Sequence, residues 1–528
     1  MKRSYKHYWA IVMYKQSINP FLNTAYVDLS DNEMFSDYLL SLGFGSNTKN
    51  LTYLNLNNTE VSTQGITNNI TNNISKLKHL NVENAGPGCD VSEAILSGAI
   101  VQAKDLILLE YSPSTINSNQ DTKKRTKKNN VENYSHVLSK ACCNLKHVKL
   151  GSESSCVDFI HLFHLSSLVS LNLNKPVFGT PHVEALSKLN NLRSVKLESV
   201  QWEKGFSDKQ ISSWACKLDH LSLVSCKVKD ADIEQFFISK PPIHSLVLSG
   251  NDSVVGKCFG KLSSCVNLSS LDLSASKRLS GPSLQLLSTC DSLTELNLSS
   301  CEIKDAKAKG FLSNIPENLE SLILADNDLS DKSLELIVNN LRNLKKIDLS
   351  GNINLLNVGM CSVFENVILN DLVRSKSNKA EIQAGVNELM QSKKLRSLSV
   401  RGNKLSDLDI KNFNLTSLDV SDNNLGDNIT QSIFESIVVQ EQSHPLRRLD
   451  VSMNRITHEG VSGLKVINNN LNADSCNLRF LNLSNNPCAT DNAIMEHSIL
   501  DAVSSDIYEL VLEYATQDGY DSGDVQRL

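Results

Sequence analysis

The sequence predicts an α/β solenoid: a horseshoe of roughly 18 stacked repeats, with a concave parallel sheet on the inside and helices or loops on the convex side. Three observations carry that expectation. Apolar triplets spaced as L-x-x-L-x-L recur along the chain, many followed three residues later by Asn, Cys or Ser, as in Ile243, Leu246, Leu248 and Asn251. The triplets return about every 25 residues, beginning again at Leu268, Leu293, Leu319 and Leu344. Between them lie segments whose apolar residues have helical spacing.

The second and third apolar residues of a triplet are two apart, so on a strand both point to one face. One repeat cannot cover that face alone, and neighbours must stack. Parallel strands then need a return crossover. Between Asn327 and Leu344 it reads as a short helix, with Ser330 or Asp331 as cap and Leu334, Ile337, Val338 and Leu341 at helical spacing. After each strand the chain enters a buried turn whose backbone groups need partners. An Asn amide supplies them; a Cys thiol does so weakly but packs well.

In chain order, residues 1–23 are expected to cap the first repeat, and the solenoid to run from 24 to 512. The first strands fall at Val27/Leu29, Leu54/Leu56, Leu80/Val82 and Leu106/Leu109, with strand-end residues Asn32, Thr59, Ala85 and Ser114. The polar ladder is therefore imperfect from the start. Residues 113–131 lose apolar groups and gain Lys123, Lys124, Arg125, Lys127 and Lys128, which reads as a disordered basic insert: a solvated loop is preferred, with a nuclear address or a contact with anionic surfaces as the alternatives. Regular triplets resume at Leu145, Leu168, Leu192 and Leu218, although Glu153, Pro176 and Val200 hold the first three strand ends.

Leu344 and Leu395 lie two periods apart, so one repeat is hidden or replaced in 357–394. Two helical pieces, around Val358 to Val373 and Ala380 to Met390, would be an insertion. A degenerate repeat with its strand near Leu369 and Leu372 would keep the curvature even, and is preferred. Triplets at Leu395, Leu415, Leu446 and Leu478 keep their asparagines, Leu510 and Leu512 make the last strand, and 513–528 form an acidic tail expected to be loose.

The 528 residues carry a formal charge of −6 and an apolar share of 40%, which does not suggest a nucleic-acid binder. No apolar window reaches the roughly 18 residues of a membrane span. Lys2, Arg3 and Lys6 precede an apolar run, Trp9 to Tyr14, that is short for a signal peptide, so a cytoplasmic protein is expected. The 13 cysteines include Cys226 and Cys301 at strand ends and Cys143, Cys216, Cys265, Cys290 and Cys476 two or three residues before a first leucine. Such places suit small core residues, and no C-x-x-C or Cys/His spacing of a metal site occurs.

These repeats, above all Cys290 to Cys301, resemble the leucine-rich repeat superfamily and are similar to its cysteine-containing and ribonuclease-inhibitor-like classes. The resemblance spans nearly the whole chain and implies a mostly intracellular binding protein; extracellular members usually carry disulfide-bonded caps, and no Cys precedes Cys89. Effector domains found in some relatives are not matched. The 23 residues before Thr24 leave no room for an F-box segment. Cys156-Val157-Asp158 has the letters of a bacterial ubiquitin-ligase site but lies between two strands. Gly250 to Lys257 is one residue too long for a phosphate loop and is followed by Cys258 where Ser or Thr is needed.

His458-Glu459 lacks the second histidine of a zinc protease, and His79, His147 and His220 share no motif with a nucleophile or carboxylate. The expectation is a non-enzyme without cofactor or metal. Strand positions that do not point inward are free to bind. The candidates on that concave face are Tyr26, Tyr53, His79, His220, Asp272, Glu295, Lys346, Asp348, Asp419, Arg448, Asp450 and Phe480. They point to a monomeric scaffold or receptor for a basic or mixed-charge protein, with no nucleic acid and no membrane span. The alternatives are a regulatory repeat protein, GTPase-activating or ubiquitin-ligase-associated, or a bacterial effector acting in host cytoplasm. The composition rich in Asn, Ser and Lys, as in Thr67 to Asn73, fits an AT-rich genome.

Overall fold

Burial follows the triplets residue by residue. In strand Ser245–Val247 the central Leu246 is sealed and its neighbours are half-buried, and the same alternation holds in Ser270–Asp272, Ser321–Ile323, Lys346–Asp348 and Ser417–Asp419. The next apolar residue of each triplet, such as Leu248, Leu273 or Leu324, is equally enclosed. Side chains two apart on a strand share a face, so the leucines form the interior and the intervening residues face outward.

The computed structural model describes residues 25–32, 34–43, 50–70, 76–86, 105–111, 142–151, 159–202, 214–373, 378–410, 415–439, 445–461, 478–489, 509–512 and 526–527. The expected cap at 1–23, the basic insert at 113–131 with Ser114, Glu153, Cys156-Val157-Asp158 and Cys476 lie outside them, as does the acidic tail except for 526–527. The chain divides into two units, Met1–Leu268 and Ser269–Leu528.

Among the described residues of the first unit, nine parallel strands keep one register, which sets Tyr26, Tyr53, His79, Leu108, His147, Ser170, Ser194, His220 and Ser245 in a single row. Among those of the second, ten strands align Ser270, Glu295, Ser321, Lys346, Asn366, Ser397, Ser417, Arg448, Phe480 and Glu509. Gln526–Arg527 then adds an antiparallel strand on Val511 and Leu512, so the end of the tail is paired. Each unit is an α/β solenoid, with helices and 3-10 turns as the returns. A small two-stranded parallel sheet, Val177–Phe178 with Gln201–Trp202, joins two returns of the first unit.

The strand-end asparagines work as the sequence suggests. Asn327 donates its amide to the carbonyls of Leu298, Leu324 and Ala325, and its Oδ1 accepts the N–H groups of Cys301 and Ile303. Asn352, Asn403, Asn423, Asn454 and Asn486 make the same bridge to the preceding repeat. Cys301 gives its thiol to the carbonyls of Leu273 and Ser299 at 3.2 and 3.4 Å, and Cys226 does the same to Leu197 and Val224. The residue just before the strand-end position is left-handed, as at Ala275, Ser300, Asp326, Asp422 and Met453, or is Gly250, Gly351 or Gly402. That conformation reverses the chain, and only glycine adopts it without steric cost.

Some positions differ from those expected. The hidden repeat has its strand at Asn366–Ile368, paired on both sides, with Val367 and Leu369 buried; the expected position was a few residues too late. The stretch read as one helical piece from Val358 is a 3-10 turn, Val358–Val363, followed by that strand, and the helix is Lys379–Met390. In helix Asp331–Asn340, Ser330 is the cap, but Val338 is only half-buried. Among the cysteines, those three residues before a first leucine are enclosed: Cys142, Cys265 and Cys290. Those two before it turn outward: Cys143 is exposed and Cys216 half-buried, with Ala215 in the interior place.

Candidate functional site

The open face of each sheet is built from three strand positions: the residue after the first leucine, the next one, and the one between the two inward leucines. The first unit begins with an aromatic run. Tyr26 and Tyr53 stack at 4.0 Å with an 11° tilt, and His79 lies 5.8 Å from Tyr53. Burial, then a hydrogen bond with Tyr26, pushes the Tyr53 phenol up. Burial, followed by His79 and Lys146, holds the His147 imidazole below its ordinary value. His220 is exposed and stands well along the row from His79, so the register does not bring them together.

Beside that run sits a charged cluster. Asn81 donates to Glu110 at 2.6 Å, and Lys149 pairs with Glu83 across the intervening strand. Burial raises the Glu110 carboxyl, Lys149 opposes the rise and Glu83 adds to it. Sequence reasoning missed Glu110 because its triplet ends in Tyr111 rather than in an aliphatic residue.

In the second unit the carboxylates already have work. Asp272, Asp348, Asp419 and Asp450 accept the amides of Ser274, Ser350, Ser421 and Ser452 at 2.8 to 3.0 Å, which caps the strand end. The other oxygens of Asp272, Asp419 and Asp450 accept from Asn297, Ser399 and Asn482. Glu295 is exposed on the strand next to Asp272, and Lys346 shares a strand with Asp348. Arg448 lays its guanidinium over the Phe480 ring, 3.6 Å from the centroid. Half-buried Ile323 and Ile368 flank Asp348 in the same row.

A depression of about 590 Å³ opens where strands of the second unit begin. Arg342, Lys345, Lys393, Lys394 and Arg396 line it, opposed by Glu320 and Glu365. Lys345 and Glu320 are paired at 2.9 Å. These cations were missed too, although the spacing locates the place: it is the residue after each first leucine and the turn just ahead of it.

Buried thiols are poor nucleophiles, and burial pushes Cys142, Cys361 and Cys488 up to about 12. Among the described residues no group of three or more His, Cys, Asp or Glu could hold a metal ion. Gly250, which begins the stretch compared with a phosphate loop, is the left-handed residue of an ordinary strand-end turn.

A family model described as Leucine Rich repeat matches residues 289–306, 316–338, 411–434 and 442–465. The chain is a leucine-rich repeat protein. No curated protein matches the sequence. Solved structures similar to this leucine-rich repeat chain include an internalin, inlF, from Listeria monocytogenes, at 17% identity over 71% of this chain and 82% of that one, with a TM-score of 0.32. A chain of the Rad7 and Elc1 complex in yeast is similar at 17% identity over 65% and 81%, TM-score 0.42. A chain of the TLR13–ssRNA13 complex is similar at 16% identity over 89% and 67%, TM-score 0.46.

Proposed function

We propose that this leucine-rich repeat protein is a binding scaffold that holds a protein partner on the open, concave face of its sheet. The observation that supports it most is the alternation of burial: each strand gives its leucines to the interior and leaves its other side chains half-exposed and in register. Among those of the second unit, Ile323 and Ile368 are apolar anchors within polar surroundings, the composition expected of an interface centre. The partner is read as a mixed-charge protein, and the scaffold as a cytoplasmic monomer. No helix of the described residues is long and apolar enough to cross a membrane. The GTPase-activating, ubiquitin-ligase-associated and effector readings would use the same face and gain no residue of their own.

The test places a photo-crosslinking side chain at Ser321, Ile323 or Ile368 on the open face, and at Lys309 or Glu335 on exposed helix positions. Crosslinked protein is expected from the first three alone. The double variant Ile323→Arg, Ile368→Arg should lose capture while melting as the parent does; equal crosslinking from the helix positions would sink the reading.

A further inference from the structure

Backbone hydrogen bonds string the strand-start residues of the second unit into a line. The Lys345 N–H donates to the Glu320 carbonyl, Glu365 to Lys345, Arg396 to Glu365, Thr416 to Arg396, Arg447 to Thr416 and Arg479 to Arg447. The line runs back from Glu320 to the uncharged Thr294 and Ser269; its charged part starts with alternating charge, Glu320, Lys345, Glu365 and Arg396, and the charged residues after that are cations, Arg447 and Arg479. Exposed Lys393 and Lys394 widen it at the depression beside Arg396. Both carboxylates of the line, Glu320 and Glu365, come before Arg396, and Glu320 is paired with Lys345. From Arg396 onward the line carries net positive charge.

We propose that this strand-start edge is a docking groove for an acidic, extended segment of a protein partner, a statement that rests on the protein-binding reading above. The dimensions fit such a segment. Adjacent strands lie about 4.8 Å apart, so the steps from Lys345 to Arg479 span roughly 24 Å, the length of about seven extended residues. Carboxylates spaced along that segment would come within reach of the long, exposed side chains of Lys393, Lys394 and Arg447.

A nucleic acid fits less well. The Asp row lies three residues further along the same strands, roughly 10 Å away, and would repel a second strand of phosphates. Single-strand binding relies on free aromatic platforms, and Phe480, next to Arg479, is covered by Arg448. The formal charge of −6 also opposes a long polyanion.

The full chain is titrated, by fluorescence anisotropy, against a labelled octapeptide of alternating Glu and Ser and against an octamer of uridylate. Saturable peptide binding is expected, weakened about tenfold in the triple variant Lys393→Gln, Lys394→Gln, Arg447→Gln. A control with the same charge change at exposed positions of the returns, Lys304→Gln, Lys309→Gln, Lys332→Gln, should bind as the parent does. Absence of saturable peptide binding overturns the proposal, as does equal weakening in the control or uridylate bound as tightly as peptide. If the edge variant still captures the partner that the Ile323, Ile368 variant loses, the acidic segment is wrong and the protein-binding face survives.

Discussion

Two strand ends of the first unit solve differently a problem that most of the second unit, like Asn251 of the first, solves with asparagine. In the second unit Asn327, Asn352, Asn403, Asn423, Asn454 and Asn486 bridge each turn to the one before it. Within the first, Pro176 and Val200 hold equivalent positions and have no side-chain donor. There the backbone takes over: Val177–Phe178 pairs with Gln201–Trp202, the Gln201 N–H donates to the Pro176 carbonyl at 2.9 Å, and Trp202 Nε1 donates to the Cys226 carbonyl at 2.7 Å. A missing asparagine is tolerable where the next residues can pair as strands. The requirement is for satisfied carbonyls, and the residue that satisfies them is secondary.

The sharpest way to break that contrast is to remove the strand-end side chain from each kind of turn. Asn423 makes three bonds through its amide and accepts from Asn403 and Leu405, in a buried turn. Asn423→Ala should therefore cost about 4 kcal/mol by urea denaturation, because buried groups are left unpaired. Val200→Ala removes only methyl groups and should cost about 2 kcal/mol. Equal losses would show that the amide is no more than filler.

Cys301 offers a smaller test in the opposite direction. Cys301→Asn, with its preceding left-handed Ser300 kept, should stabilise by about 1 kcal/mol as stronger donors replace a thiol. A loss of stability would mean that packing of the sulfur matters more than its hydrogen bonds.

The smallest effect distinguishes the units by pH. Burial, then His79 and Lys146, lowers the folded-state value of His147, so protonation favours the unfolded chain. Its contribution is fully present above the ordinary value of 6.5 and is lost as pH falls through that value toward the folded one. The midpoint of unfolding should fall with pH between about 7 and 5, and His147→Gln should flatten that slope. An unchanged slope would exclude the imidazole as its source.

Most of the fold was legible because burial acts on spacing: every well-formed triplet became a strand. The repeat at Asn366–Ile368 was misplaced because Phe364 stands for the first leucine and Leu372 for the asparagine, which shifted the apparent triplet along the chain. The left-handed residue of each turn was not foreseen, since Ala275, Met453 and Lys175 are not the Gly or Asn that would announce it. For the candidate site, spacing showed which residues face outward, not what they already hold. Asp272, Asp419 and Asp450 looked like bait for a basic partner, yet their oxygens are bound within the sheet.

Asp305 shows how closely the returns are tied as well. Burial alone would raise its carboxyl, but the hydroxyls of Ser330 and Ser333 and the Ser330 amide together hold it below the usual range. Asp331 and Asp427, likewise first in their helices, grip the following repeat at Leu356 and Thr457. Linkage is thus made neighbour to neighbour along both edges of a turn, and none of these bonds reaches further. Stretched from its ends, either unit should yield like a chain of latches, each rupture freeing about 25 residues, roughly 80 Å of slack, while the remaining turns stay shut.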